Sequence, residues 1–237
     1  CGKHRKGERD FGSIMVSVII PVYNEESTIR KALNVLPYKN GLEVIVVDGE
    51  SQDRTKEFAR TFPARVVECI KNRALQMNKG AQLATQDALL FLHADCRFEE
   101  GSLEAISDCL RDGHIGGCFS QAIDSDKFIY RLIEFSGNLR ARLSKIFYGD
   151  QAIFVRRDIF FKMGGFDNVP LFEDILFSRK MAQEGRIQVL SKKVFVSPRR
   201  WQKNGIIMTT IIFWFLTIGL SLGISFDRLK RLYQDIR

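Results

Sequence analysis

Neither of the two common glycine-rich phosphate loops is present in this chain. No G-x-G-x-x-G and no G-x-x-x-x-G-K-[ST] follows the first candidate strand, Val16 to Ile20, which excludes a dinucleotide fingerprint and a P-loop. Cysteine is sparse and shows no pairing pattern. Cys1, Cys69, Cys96, Cys109 and Cys118 are odd in number and lack C-x-x-C spacing, which argues against a disulfide framework or a structural zinc site and for a reducing compartment. Residues 1–14 contain no apolar stretch of the kind a secretory signal needs, and are expected to form a flexible basic tail. Acidic residues are scarce at the other end. From Arg186 to Arg237 the lysines and arginines are opposed only by Asp227 and Asp235, so this stretch holds an excess equal to the net charge of the whole chain, +8. These basic residues bracket an apolar run and do not interleave with stacking aromatics. They are expected to meet a phosphate-bearing ligand and an anionic membrane surface, and no nucleic acid.

What is present is an alternation of apolar strands with helical patterns. Hydrophobic residues make up 45% and charged ones 27%, the balance of a globular chain. Strands are predicted over 16–20, 42–47, 65–69, 88–92, 116–122 and 152–155, with a two-strand segment over 187–190 and 194–196. Helices are predicted from Ile29 to Leu36 and over 53–62, 73–84, 101–111, 128–147 and 173–185. Such alternation implies an α/β fold with a mainly parallel central sheet flanked by helices. Gly205 to Ile224 follows as twenty uncharged residues, long enough for a membrane span. Thr209, Thr210, Thr217, Ser221 and three glycines weaken that reading, so spanning, lying on the interface and self-association all stay open.

Chemistry should gather where the predicted strands end, because open parallel sheets bind ligands past the carboxyl ends of their strands. The unbroken run Leu89-Leu90-Phe91-Leu92 reads as a strand buried on both faces and delivers His93 and Asp95 at its end. The first strand runs into Pro21-Val22-Tyr23-Asn24-Glu25-Glu26, and the second into Asp48-Gly49-Glu50-Ser51. Helix capping is the plainer role for Asn24 and Asp53. It suits Asp48 and Asp95 less well, since no helical pattern follows either at once. Farther on, Glu173-Asp174 opens a predicted helix, where the macrodipole favours ionised carboxylates.

Taken together, Pro21 to Glu26, Val47 to Asp53, Asn72-Arg73, His93-Ala94-Asp95, Gly164-Gly165-Phe166 and Glu173-Asp174 resemble family 2 glycosyltransferases of the GT-A fold, in order and spacing, over about residues 15–201. Gly149-Asp150-Gln151, Arg199-Arg200-Trp201 and the apolar C-terminal helical segment bring the chain nearest to a bacterial subgroup linked to arsenosugar biosynthesis. The resemblance implies a nucleotide-binding half over 15–122, an acceptor half over 123–201 and a separate C-terminal segment over 202–237. It implies a nucleotide-diphosphate sugar, UDP-linked, as donor and a hydroxyl-bearing acceptor, joined with inversion at the cytoplasmic face of a membrane.

By the same resemblance, Pro21, Tyr23 and Glu25 frame base and ribose, Asp48 accepts a hydrogen bond from the base, and Arg73 lies along the same rim. Asp95 holds Mg²⁺ or Mn²⁺ together with the diphosphate. His93, standing where the family usually has aspartate, contacts ribose or approaches the ion. Arg200 and Trp201 match the diphosphate-clamping pair, with Trp201 stacking on acceptor or base. Asp174 is the general base and Glu173 its nearest rival, since neighbours on a helix point about 100° apart. Two other functions are compatible with parts of this pattern. A sugar-nucleotide nucleotidyltransferase would open with a glycine-rich loop, and Pro21 to Glu26 has no glycine. A non-catalytic, membrane-associated sugar-nucleotide binder stays open because of His93.

Overall fold

The structure, a computed structural model, describes residues 14–38, 42–169, 171–221, 224 and 228, without the side chains of residues 200, 213, 216, 217, 220 and 221. Apart from Ile14, the expected tail lies outside the described residues.

Four strands open the fold: β1 (Val16–Val22), β2 (Glu43–Asp48), β3 (Arg65–Glu68) and β4 (Ala88–Phe91). All four run parallel, β2 and β4 flanking β1 and β3 lying outside β2. Their sequences lack the polar alternation of a one-sided sheet because both faces are covered. Val18, Ile20, Val44, Val46 and Leu90 point into one apolar cluster, and Ile19, Ile45, Val47, Leu89 and Phe91 into the other. That is the period of two expected of a pleated strand. The first layer is formed by α1 (Ile29–Asn34), α2 (Thr55–Ala59) and α4 (Ser102–Arg111), through Ile29, Leu33, Phe58, Ile106 and Leu110. The second is formed by α3 (Arg73–Leu83), α6 (Arg157–Lys162) and α7 (Glu173–Glu184), through Ala74, Met77, Phe160, Phe177 and Met181.

The sheet continues through β5 (Cys96–Phe98), β6 (Gly116–Ile123), β7 (Phe154–Arg156) and β8 (Ile187–Val196), in the order β3-β2-β1-β4-β7-β6-β8-β5. β7 opposes both β4 and β6, and β5 opposes β8, so the sheet is mixed where a mainly parallel one is expected. The two short strands expected over 187–196 are one. Its polar middle is absorbed by a register shift opposite Phe119 and Ser120, where the Ser120 hydroxyl donates to the Leu190 carbonyl at 2.7 Å.

The helix α5 (Phe128–Ser144) stops short of the expected Phe147 because Lys145 turns left-handed, with φ 57°. It reaches both apolar layers, Tyr130 in the first and Ala141 in the second. α8 (Arg199–Asn204) and α9 (Ile206–Ser221) follow β8. No helix among the described residues is long and apolar enough to cross a membrane.

Gly117 marks the tightest point of the sheet. A Cβ there would lie 1.9 Å from the Gln188 carbonyl oxygen, backbone that cannot step aside. Gly117→Ala is expected to cost about 3 kcal/mol or more, beyond the ordinary range for overpacking because the clash is with main chain. Chemical denaturation monitored by circular dichroism would measure it, and a loss below about 1 kcal/mol would contradict this account.

Candidate active site

The carboxyl ends of β1 and β2 are level, Val22 facing Asp48 across the pair. Past this edge the two loops are sewn together. The Asn24 N–H donates to the Ser51 hydroxyl at 2.9 Å, and the Gln52 N–H donates to the Asn24 side-chain oxygen at 2.9 Å. The Glu25 N–H donates to the Thr55 hydroxyl at 2.7 Å, and the Glu26 N–H to the Asp53 carboxylate at 3.2 Å. Asn24 and Glu50 have positive φ (53° and 64°), a conformation that asparagine tolerates better than most residues and glutamate adopts rarely. Asn24 and Asp53 therefore fasten the two loops to each other and do not cap the helices that follow, whose N-caps are Thr28 and Arg54.

Asp48 is fully buried at the end of β2. One oxygen, Oδ2, accepts from the Ser51 N–H at 2.9 Å. The other, Oδ1, is buried and has no hydrogen-bond partner among the described residues. Nearby, the Gln76 amide donates to both the Val22 and Val47 carbonyls at 2.8 Å, tying the strand ends to α3. A Cβ on Gly49 would stand 3.0 Å from that amide, which accounts for a residue without a side chain at this point. Gln76 escaped the sequence reading. Its signal was a polar residue on the buried face of α3, between Ala74, Met77 and Ala81.

Tyr23 is half-buried, and the Lys71 ammonium sits 3.7 Å from its ring centroid. Pro21 remains inside β1, paired with Val47. Arg73 starts α3 beside the Asn72 cap, whose side chain accepts from the Leu75 N–H at 3.0 Å. From there Arg73 crosses to Glu173, 3.7 Å away. The first half of the chain thus meets the second.

At the end of β4 the chain turns through His93 and Asp95 into β5. Ligand atoms of His93, Asp95 and Cys96 lie within 4.8 Å of one another. The Cys96 thiol is buried and pushed well above its usual range by that burial, and further by the charges of Asp95 and Asp150. A hard divalent ion beside a diphosphate prefers oxygen and imidazole to sulfur, so the donors that suit it are the Asp95 carboxylate and the His93 imidazole. That set matches Mn²⁺ or Mg²⁺ when a diphosphate supplies further oxygens. Arg199, at the start of α8, stands 3.4 Å from Asp95 and 3.7 Å from Glu25. The Arg200 side chain lies outside the described residues. Trp201 turns inward. Its indole is 8% exposed and packs edge-on against Tyr130, centroids 6.1 Å apart.

Glu173 and Asp174 begin α7 directly after Phe172, whose left-handed φ of 68° redirects the chain. Such a conformation costs about 1–3 kcal/mol, and the ring offsets it by burying itself against Ile175. Asp174 Oδ2 accepts from the Gly149 N–H at 2.6 Å, and Oδ1 from the Ile175 N–H at 2.8 Å. Gly149 also touches His93, since a Cβ there would lie 2.8 Å from His93 Nε2 and 3.3 Å from Asp174 Oδ2. Asp174 and His93 therefore flank one glycine, while Glu173 is turned toward Arg73. Burial raises both carboxyls above their ordinary values. For Glu173 the Asp174 charge adds to the rise and Arg73 opposes it; for Asp174 the Gly149 and Ile175 N–H groups oppose it.

Two chains of contact result, Glu25–Arg199–Asp95 and His93–Gly149–Asp174, with Glu173 adjoining Arg73. Solved structures with this architecture define a class. The chain aligns with Staphylococcus aureus TarS in complex with UDP-GlcNAc at TM-score 0.62 and 18% identity, covering 78% of this chain and 58% of that one. It aligns with the mannosyltransferase PcManGT from Pyrobaculum calidifontis, in complex with GDP-Man and Mn²⁺, at TM-score 0.63 and 25% identity, covering 78% and 57%. The fold is GT-A-like, an α/β architecture with a mixed central sheet. The family model "Glycosyl transferase family 2" matches residues 17–167, and the chain belongs to that family. Among curated relatives, the glycosyltransferase AglE of Haloferax volcanii is 39% identical over 106 residues, 38% of this chain and 33% of its own length. The 4,4'-diaponeurosporenoate glycosyltransferase of Staphylococcus haemolyticus is 38% identical over 114 residues, 44% of this chain and 30% of its own. The chain spans about a third of the length of these two relatives.

Proposed function

We propose that this protein transfers a sugar from a UDP-linked donor to a hydroxyl-bearing acceptor with inversion. The observation that carries the reading is the buried Asp48 with one oxygen hydrogen-bonded and the other without a partner. A buried carboxylate oxygen left open at a ligand-binding edge asks for a donor from outside the protein. The N3–H of uracil is such a donor, and a charge-assisted bond to it would meet that demand. Tyr23, Glu25 and Pro21 frame the same edge for base and ribose. The related structures with bound UDP-GlcNAc and GDP-Man support a nucleotide sugar as the ligand class.

Asp95 and His93 would hold the divalent ion, which when bound supplies positive charge against the diphosphate as it leaves. Arg199, free to leave Asp95 and Glu25 once a diphosphate is present, adds a guanidinium suited to bidentate contact with phosphate; Arg200 is proposed to share that role. Trp201 contributes by seating α8 against Tyr130. At the other wall Asp174 takes the acceptor proton. The acceptor oxygen then bonds to the anomeric carbon as the bond from that carbon to the diphosphate breaks, which inverts the centre. Arg73 holds Glu173 aside from this proton transfer. The cationic excess from Arg186 onward supports an anionic membrane surface as a further partner, at the cytoplasmic face.

Calorimetric titration with UDP and CDP tests the base-reading step, because cytosine has no N3–H. Wild type should prefer UDP. Asp48→Asn should weaken UDP by on the order of tenfold or more, the worth of one hydrogen bond to a charged group, and should erase the preference. Equal affinity of the wild type for the two nucleotides would overturn the assignment.

A further inference from the structure

The outer face of α5 is built the wrong way round for a soluble helix. Phe128, Leu132, Phe135, Leu139 and Leu143 follow the spacing i, i+4, i+7, i+11, i+15, which is one stripe of a helix. They are exposed by 74, 51, 69, 44 and 76%. Scattered apolar residues on a surface need no explanation, but a continuous stripe of five does. On α9, Ile207, Ile211, Trp214, Phe215 and Ile218 form a second outward stripe.

The helices that carry the two stripes share anchor points. Trp201, just before α9, packs on Tyr130 near the start of α5. Ile212 of α9 joins Ile146 and Tyr148, just past the end of α5, on the Phe172–Ile175 cluster. The two helices are therefore anchored at common points, through Trp201 at the start of α5 and through the Phe172–Ile175 cluster just past its end.

Charge selects the occupant. Lys127, Arg131, Arg142 and Lys145 are exposed along α5, and Lys203 precedes α9. From 127 to 145 the one acid is Glu134, half-buried and bridged to Arg131 at 2.9 Å. A second copy of this chain docking the same face by two-fold symmetry would bring two cation-rimmed surfaces together. The chain's own ends are also net basic, at residues 1–13 and 225–237, and would be repelled. A large apolar face rimmed by cations fits an anionic bilayer.

We propose that the outer faces of α5 and α9 form one docking surface for an anionic lipid bilayer. This rests on the membrane placement proposed above and adds the helix and the face that make the contact. α5 supplies five of these ten exposed apolar side chains although it lies some 60 residues before the C-terminal segment in the sequence.

Co-sedimentation of the full chain with vesicles of phosphatidylcholine alone, or with added phosphatidylglycerol, tests it. Wild type should bind the anionic vesicles and release at high salt. The variant Leu132→Gln/Phe135→Gln/Leu143→Gln should lose on the order of tenfold or more in partitioning, since binding scales with buried apolar area. These side chains are already in water, so thermal stability and UDP affinity should not change. Lys127→Gln/Lys145→Gln should weaken binding to anionic vesicles alone. An α5 variant that partitions like wild type would overturn the proposal; if Lys203→Gln loses binding in that case, membrane placement survives and the α5 face is wrong. A lipid-free dimer that the α5 variant converts to monomer would overturn it in favour of a contact between copies.

Discussion

Asp174→Asn is expected to lower sugar transfer by on the order of 10²-fold or more, with UDP affinity nearly unchanged. Only an ionised carboxylate can accept the acceptor proton, and the amide removes that capacity without removing volume. Asp174 is the better candidate of the pair because of what holds each side chain. Glu173 is buried beside Arg73, 3.7 Å away, on the side where the two halves of the chain meet. Asp174 keeps two N–H donors from Gly149 and Ile175 and faces the glycine that also touches His93. Those donors spend two of about four acceptor positions of the carboxylate, leaving room for an acceptor hydroxyl.

Burial raises the Asp174 carboxyl above its ordinary value of 3.8. A base works only when deprotonated, so turnover should fall as pH drops through a midpoint above that value, and Asp174→Asn should abolish that limb. Glu173→Gln should reduce turnover less and leave the limb in place. The result that sinks the assignment is a Glu173→Gln enzyme more impaired than Asp174→Asn in steady-state assays of transfer.

Asp95→Asn is expected to abolish the dependence of nucleotide binding on divalent ions. In wild type, UDP should bind at least tenfold more tightly with Mn²⁺ than without; in the variant the two titrations should coincide, since losing even an outer-shell partner of a metal costs about 10–100-fold. The fold should be untouched. In the protein without ligand Asp95 makes a partly exposed pair with Arg199 at 3.4 Å, and such pairs contribute about 0–1 kcal/mol. Persistence of the full Mn²⁺ effect in the variant would move the ion away from Asp95. Retention of the effect in His93→Ala but not in Asp95→Asn would leave the carboxylate as the protein's sole essential donor to the ion.

The α/β alternation was legible from the chain alone because buried strands must be apolar on both faces and helices must repeat every 3.6 residues. The polar ends of those strands were legible for the same reason. Asp48, His93 and Asp95 stand where an apolar run stops, and the register of β1 with β2 and β4 does bring those ends to one edge. Of the two reversed strands, β7 was foreseen over 152–155 but β5 was not, and the direction of neither was legible. Each is three residues, too short for a period to mark its bounds, and its direction depends on which neighbour it pairs with.

The partners within the site were decided only by tertiary structure. Nothing in the sequence assigns Arg199 to Glu25 and Asp95, separated from it by 174 and 104 positions, or turns Trp201 inward onto Tyr130. Gly149 shows its reason only when His93 and Asp174 close on it from different elements. The outward stripe of α5 was hidden by the same limit. Periodicity gives a helix its apolar face, but whether that face meets the core or the solvent is set by how the helix is docked, and Tyr130 and Ala141 dock α5 by the opposite side.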